Sequence, residues 1–287
     1  MQRFLLNFIQ MSNRRYLIFV LLLLELLCSG MTMAQGNLLL LPRRVIFEGS
    51  KRYEELNLAN SGLDTARYVI SLMHVRMKED GGFEEISQPD SGENFADRFI
   101  RFFPHSVVLA PGESQVVKIQ LTKINELAPG EYRSHLYFRA VPEKALLGEE
   151  GPPKDSGISI HLIPIFGISI PVIIRVGATT AQVMLSDLSL QMTEDTIPIL
   201  AMTFHRAGNR SVYGDISVYY TSAAGKTTLA GTAKGIAVYT PNAARGFRLT
   251  LDKKPNINYH SGRLSVEYST AEDNHPVRIA GADLVLR

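Results

Sequence analysis

The chain is predicted to be all-β, built as two β-sandwiches in tandem, and three observations predict it. Beyond Ala34, apolar residues recur with a period of two, and helical periodicity is nearly absent. Specific turn chemistry punctuates those alternating stretches at short intervals. The length, 287 residues, suffices for two domains of ordinary size once a targeting segment is removed.

The first element in order is that targeting segment. Arg14 and Arg15 precede the apolar run Tyr16 to Leu24, which continues through Glu25 to Leu27; Thr32-Met33-Ala34 then offers a small-residue cleavage site. A basic start, a short apolar stretch and such a site make a secretory signal over 1–34, cleaved after Ala34. The apolar run falls well short of the roughly 20 residues that a bilayer span needs, so no membrane insertion is expected once the signal is cut. Met11 offers an alternative start, because Met11 to Arg15 already supplies the basic region. Cys28, the single cysteine, lies inside the signal. The mature chain therefore has no disulfide, no thiolate metal site and no cysteine nucleophile. The signal also carries three arginines and one glutamate. Of 30 basic and 28 acidic side chains, 27 of each remain without it, and no basic run survives to attract nucleic acid.

Domain one is expected over 35–177. Its strands include Arg44-Val45-Ile46-Phe47, Glu55 to Leu58, Tyr68 to Leu72 and Val116 to Leu121. The turns between them are Asn60-Ser61-Gly62, Asp80-Gly81-Gly82, Ala110-Pro111-Gly112 and Ala128-Pro129-Gly130. Glu143 to Gly157 is polar, rich in glycine and proline, and reads as a long loop. Domain two, over 178–287, repeats the strand pattern with turns at Ala207-Gly208-Asn209, Ala224-Gly225-Lys226 and His260-Ser261-Gly262.

One stretch is unusual. From Ile158 to Val176 every even position is Ile, Leu, Val, Phe or Pro, far longer than a typical strand of about 5–6 residues. Ile168 to Val176 reads as core. Before Gly167 the pattern changes meaning, because Pro164 cannot donate to a ladder and is normally confined to an edge. A long apolar edge strand invites aggregation unless a partner covers it. That feature points to a binding role.

Enzymatic motifs fail one by one. The seven histidines show no pair at metal-ligand spacing, so neither metal nor cofactor is expected. Gly225-Lys226-Thr227 lacks the upstream glycine of a phosphate loop, where Tyr220 stands. No nucleophile elbow or dinucleotide fingerprint occurs. Glu84-Glu85 and Glu149-Glu150 read as solvated loop carboxylates, and Asn209-Arg210-Ser211 as a chance glycosylation match. No enzyme is expected.

Several short motifs occur together in one order. Arg44 to Gly49 begins the series, and Leu56-Asn57-Leu58-Ala59-Asn60 follows. Next come Pro104, Leu109, Pro111-Gly112 and Val116-Val117-Lys118-Ile119, then Glu131 to Phe138 closed by Pro142. In this order, the stretch from about Asn37 to Gly177 resembles the N-terminal domain of periplasmic pilus-assembly chaperones of the PapD type. The second domain resembles the family only in length and strand content. The resemblance implies two immunoglobulin-like domains in a boomerang, exported through the Sec pathway to the periplasm. It implies pilus or fimbrial subunits and an outer-membrane usher as partners, and a self-capping homodimer as a form of the free protein. It also implies that a long edge strand is lent to subunits lacking one strand. Mapped here, the lent face is Ile158, Ile160, Leu162, Pro164 and Phe166, and Arg44 matches the arginine that grips a subunit's terminal carboxylate. An arginine suits that task because its fork donates two parallel hydrogen bonds.

Two positions depart from the family pattern. Pro171 stands where the family has a second, lysine anchor, and Arg133 where an acidic residue is expected after the Pro-Gly turn. Burying five apolar side chains is worth roughly 1.5–3 kcal/mol each, against roughly 0–3 kcal/mol for one ion pair, so the strand is expected to dominate affinity. An exported structural or adhesive sandwich protein is the alternative. It would cover or blunt the edge that a chaperone leaves open.

Overall fold

The computed structural model describes residues 38–141, 165–193, 197–271 and 276–286. The expected signal, the 143–157 loop and the positions Ile158, Ile160, Leu162 and Pro164 lie outside the described residues. Among those described, every regular element except two single-turn 3-10 helices is a strand.

The first sandwich packs two sheets face to face. One contains β1 (Leu38–Leu41), β3 (Tyr53–Asn60), β9 (Ser114–Leu121) and β7 (Ile100–Phe103), in that order. The other runs β2 (Val45–Phe47), β11 (Gly167–Val176), β10 (Gly130–Val141), β4 (Ala66–Met73) and β8 (Ser106–Leu109). Alternation dictates the inner faces. Leu56 and Leu58 point inward between the outward Glu55 and Asn57, and Val117 and Ile119 do so around Lys118. They meet Phe47, Leu136 and Phe138 of the opposite sheet in one core. The chain crosses from the first sheet to the second between β1 and β2, where Pro42 has no N–H to continue a ladder. Asn60 seals the turn after β3. Its amide donates to the carbonyls of Asp64 (2.8 Å) and Leu109 (3.0 Å) while its Oδ1 accepts from Gly62 N–H (2.9 Å).

The second sandwich pairs a sheet of β12 (Ala181–Thr193), β13 (Ile197–Gly208) and β16 (Ala244–Thr250) with another. That other sheet is ordered β15 (Thr227–Val238), β14 (Val212–Thr221), β17 (Gly262–Thr270), β18 (Arg278–Leu286). Here too every second residue is buried: Leu200, Met202 and Phe204 on β13 face Ile216, Val218 and Tyr220 on β14 and Leu264, Val266 and Tyr268 on β17.

From Leu38 onward the chain forms one compact unit, and several contacts join the two sandwiches. The hairpin of β5 (Val75–Met77) and β6 (Phe83–Glu85) reaches the second sandwich. Gly246 N–H donates to Glu79 O (2.7 Å), and the Asn242 amide donates to Met77 O (2.7 Å). At the hairpin tip Gly81 has φ +85°, and any side chain there would collide with the Arg245 guanidinium. A small apolar cluster of Met77, Ile173, Ala237 and Tyr239 lies at this junction, with Ile46 and Tyr213 packed against it.

The long alternating stretch is strand from Gly167 onward. Ile170, Val172 and Ile174 enter the first core as expected, and Val176 packs against it. Ile168, expected in the core, is instead 36% exposed, because β11 runs out past the end of the packed layer. On the opposite face Ile173 is fully buried at the junction of the two sandwiches. A second expectation is also corrected. The buried acidic partner after the Pro-Gly turn is not lost to Arg133, because Glu131 occupies that place and pairs with Arg175 Nε at 3.0 Å.

Candidate functional site

Two features converge at the outer margin of β11. The first is an edge that lacks a partner strand among the described residues. On one side β11 pairs along its whole length with β10, and Ala140 N–H reaches on to Phe166 O (2.9 Å). On the other side β2 pairs with it only over Val172 to Ile174. Among the described residues no strand pairs with the outer edge from Gly167 to Pro171. The buried even row leaves the core here: Ile170 is buried, Ile168 is 36% exposed, and Phe166, with its neighbour Ile165, is half exposed. An open ladder edge bearing large apolar side chains is a template for an added strand.

The second feature is Arg44, immediately before β2. Its guanidinium lies 4.1 Å above the ring of Tyr213, on β14 of the second sandwich. Nε and Nη2 are buried and have no hydrogen-bond partner. Burial pushes its pKa down, and nearby Arg175 adds to that, while Tyr239, Tyr213 and Glu131 oppose it. Even lowered, an arginine stays charged at neutral pH. A half-buried cation with two buried, unpartnered nitrogens is left unsatisfied without an anion.

Beneath Arg44 a polar network ties the sandwiches together. Glu131, at the start of β10, accepts from Arg175 Nε and from Ser211 N–H (3.1 Å), from the Ser211 hydroxyl, and from Thr240 Oγ1 (3.4 Å). Arg175 reaches Glu48 Oε2 (3.2 Å) and the Ser211 carbonyl (3.3 Å) as well. Two residues along β10, Arg133 pairs with buried Glu93 (2.5 Å) and lies 4.5 Å over the Tyr239 ring. Two further on, His135 is buried with an unpartnered Nδ1. Its ring meets Phe83 and Tyr239 edge-on, at 6.0 and 6.4 Å between centroids. Burial, with Arg133 and His74 nearby, pushes the imidazole down to about 3, so it is neutral at physiological pH.

Of the residues singled out from sequence, Arg44 and Phe166 lie among the described residues, at the cleft and at the free edge respectively. Pro171, at the expected lysine position, is the last residue of that edge before β2 begins to pair. Sequence reasoning missed Glu131, Arg175, His135, Tyr213 and Tyr239 as members of the cleft. A signal existed for β10: Glu131, Arg133 and His135 form a polar row of period two in the first half of a strand otherwise apolar or small there.

No family model matches the chain, and no curated protein matches it. Solved structures similar to it include the CsuC–CsuE chaperone–tip subunit pre-assembly complex from archaic chaperone-usher Csu pili of Acinetobacter baumannii. It is 12% identical over 85% of this chain and 99% of that one, with a TM-score of 0.44. The Pseudomonas aeruginosa CupB2 chaperone is 14% identical over 87% and 100%, TM-score 0.42. The E. coli chaperone DraB is 12% identical over 87% and 96%, TM-score 0.41. Likenesses with TM-scores this low carry no weight for function, which rests on the edge of β11 and the Arg44 cleft.

Proposed function

We propose that this protein is a divergent periplasmic chaperone of the PapD type. It holds pilus or fimbrial subunits by lending them the β11 edge and the segment before it, then releases them at an outer-membrane usher. The observation that supports this reading is the edge over Gly167 to Pro171, without a partner strand among the described residues, where the buried apolar row emerges as Ile168 and Phe166. The lent face extends back through Pro164, Leu162, Ile160 and Ile158.

The edge also favours one direction for the added strand. β2 takes over at Val172, so a strand laid along Gly167 to Pro171 must end there, beside Arg44. A chain running parallel to β11 would bring its terminal carboxylate to the unsatisfied guanidinium. An antiparallel chain would bring an ammonium, and two like charges would meet in a poorly solvated cleft. Parallel addition follows, with Arg44 setting the stop. The role is one of binding, without chemistry on the subunit.

Co-expression with candidate subunits, followed by purification of any one-to-one complex, tests the reading. Charges at both Leu162 and Phe166 are expected to abolish the complex, and Arg44→Ala to weaken it less. Full retention of a subunit by the double variant would sink strand lending. A larger loss from Arg44→Ala would show that the cleft, not the strand, dominates affinity.

A further inference from the structure

Strand register brings one more residue to the Arg44 cleft. In the parallel pair β2–β11, Val45 stands beside Val172, which puts Arg44 beside Pro171 one residue earlier. In the antiparallel pair β10–β11, Pro171 stands opposite His135. Arg44, Pro171 and His135 therefore form one cross-strand row, and residues in such a row project from the same face of a sheet. The side chains agree. Arg44 lies over Tyr213 and close to Tyr239, and His135 packs its edge against Tyr239, so both face the second sandwich across the same gap. Two strand spacings separate their backbones, about 10 Å. Between them Pro171 is short and uncharged.

Resting on the carboxylate-gripping reading of Arg44, the geometry points to His135 as a second anchor for the terminal carboxylate of the bound chain, donating a neutral imidazole N–H from across Pro171. Three observations carry this. His135 is 4% exposed, yet its Nδ1 has no partner, which is costly for a polar atom with nothing to bind. It shares its row with the cation whose own Nε and Nη2 are unpartnered. And Pro171, the residue between them, can offer an anion no donor.

The groups around His135 fit a neutral donor. Arg133 on its own strand, His74 just beyond β4, and Tyr239 with Phe83 surround the ring; among the described residues no carboxylate is in hydrogen-bond contact with it, and Glu93 is taken by Arg133. Nothing therefore holds a proton on the ring before a ligand arrives. With pKa about 3 the free imidazole carries one N–H at neutral pH. It can hydrogen-bond one carboxylate oxygen while Arg44 supplies the charge.

The test uses the mature chain and a synthetic nonapeptide of alternating valine and threonine, made once with a free C-terminal carboxylate and once as the amide. Affinities are measured by calorimetry, and the His135 ring by 15N NMR of histidine-labelled protein. The free acid is expected to bind more tightly than the amide and to shift the His135 ring nitrogens, which the amide leaves in place. His135→Ala is expected to reduce the acid-over-amide preference about tenfold, the value of one hydrogen bond to a charged group. His135→Gln, which keeps an N–H donor, should restore most of it. An unmoved His135 ring at saturation with the free acid overturns the assignment even if His135→Ala proves too unstable to study. So does a preference unchanged in His135→Ala but abolished in Arg44→Ala, which would leave Arg44 as the sole grip. Equal binding of acid and amide to the wild-type chain would instead overturn the carboxylate cleft itself.

Discussion

Replacing Glu131 with alanine should be among the most damaging single changes available in this protein. The carboxylate is buried and receives hydrogen bonds from Arg175 on β11 and from Ser211 and Thr240 of the second sandwich. Its loss leaves the buried Arg175 guanidinium with Glu48, whose side chain is half exposed, as its one anionic partner among the described residues, and leaves the Ser211 amide with no acceptor. Breaking a buried pair from one side costs about 3–5 kcal/mol, against a total stability of about 5–15 kcal/mol for a typical domain. The partner double variant, Glu131→Met with Arg175→Met, removes both charges and leaves mainly the orphaned Ser211 amide, a loss of about 1–3 kcal/mol. Urea unfolding followed by far-ultraviolet circular dichroism suits the test, since the chain has no tryptophan to report by fluorescence. A Glu131→Ala variant within about 1 kcal/mol of wild type, or a double variant as unstable as the single, would refute the claim that this pair matters because it is buried.

Other outcomes rest on the same structure. The His135 imidazole sits at about 3 rather than its ordinary 6.5, so the unfolded chain binds the extra proton first. Stability is then full above about pH 6.5 and falls as pH drops towards 3, with a slope approaching roughly 1.4 kcal/mol per unit. His135→Gln should shrink the stability lost between pH 7 and 5 by about 2 kcal/mol, and an unchanged loss would contradict the buried neutral ring. Asn60→Ala should cost about 2 kcal/mol in urea unfolding, since it strips the Gly62 amide and the Leu109 carbonyl of their partner. Phe166→Asp, at a half-exposed position, should leave stability within about 0.5 kcal/mol of wild type. If the free protein caps its own edge as a homodimer, sedimentation velocity should show Phe166→Asp as a monomer at concentrations where wild type associates.

Much of the fold was legible because burial in a sandwich follows a period of two. Leu56, Leu58, Val117 and Ile119 could be oriented by their polar neighbours alone, and turn residues such as Asn60-Ser61-Gly62 bounded the strands. The limits of β11 were less legible. Alternation continues unbroken from Ile158 to Val176, yet Ile168 is exposed, because the pattern records which face a residue takes and not where the opposite sheet ends. Arg44 could be picked out by its place before Val45-Ile46-Phe47. The rest of the cleft could not, since its members come from positions far apart in the chain: Arg175, Tyr213 and Tyr239 meet only through the packing of one sandwich on the other. Glu131 was misjudged for a local reason. Only Tyr132 separates it from Arg133 on the same face of β10, so a shift of one strand period decides which residue is matched to the acidic position, and the pairing with Arg175 settles it as Glu131. His135 looked like an ordinary strand histidine, and only register sets it across Pro171 from Arg44.

The central claim, that the edge of β11 and the segment before it are lent to a subunit, is tested most directly by amide hydrogen exchange on a purified complex. Strand lending predicts strong new protection of amides between Ile158 and Ile170 on subunit binding, with smaller changes elsewhere in the first sandwich. A tight complex in which those amides exchange as fast as in the free protein would contradict it.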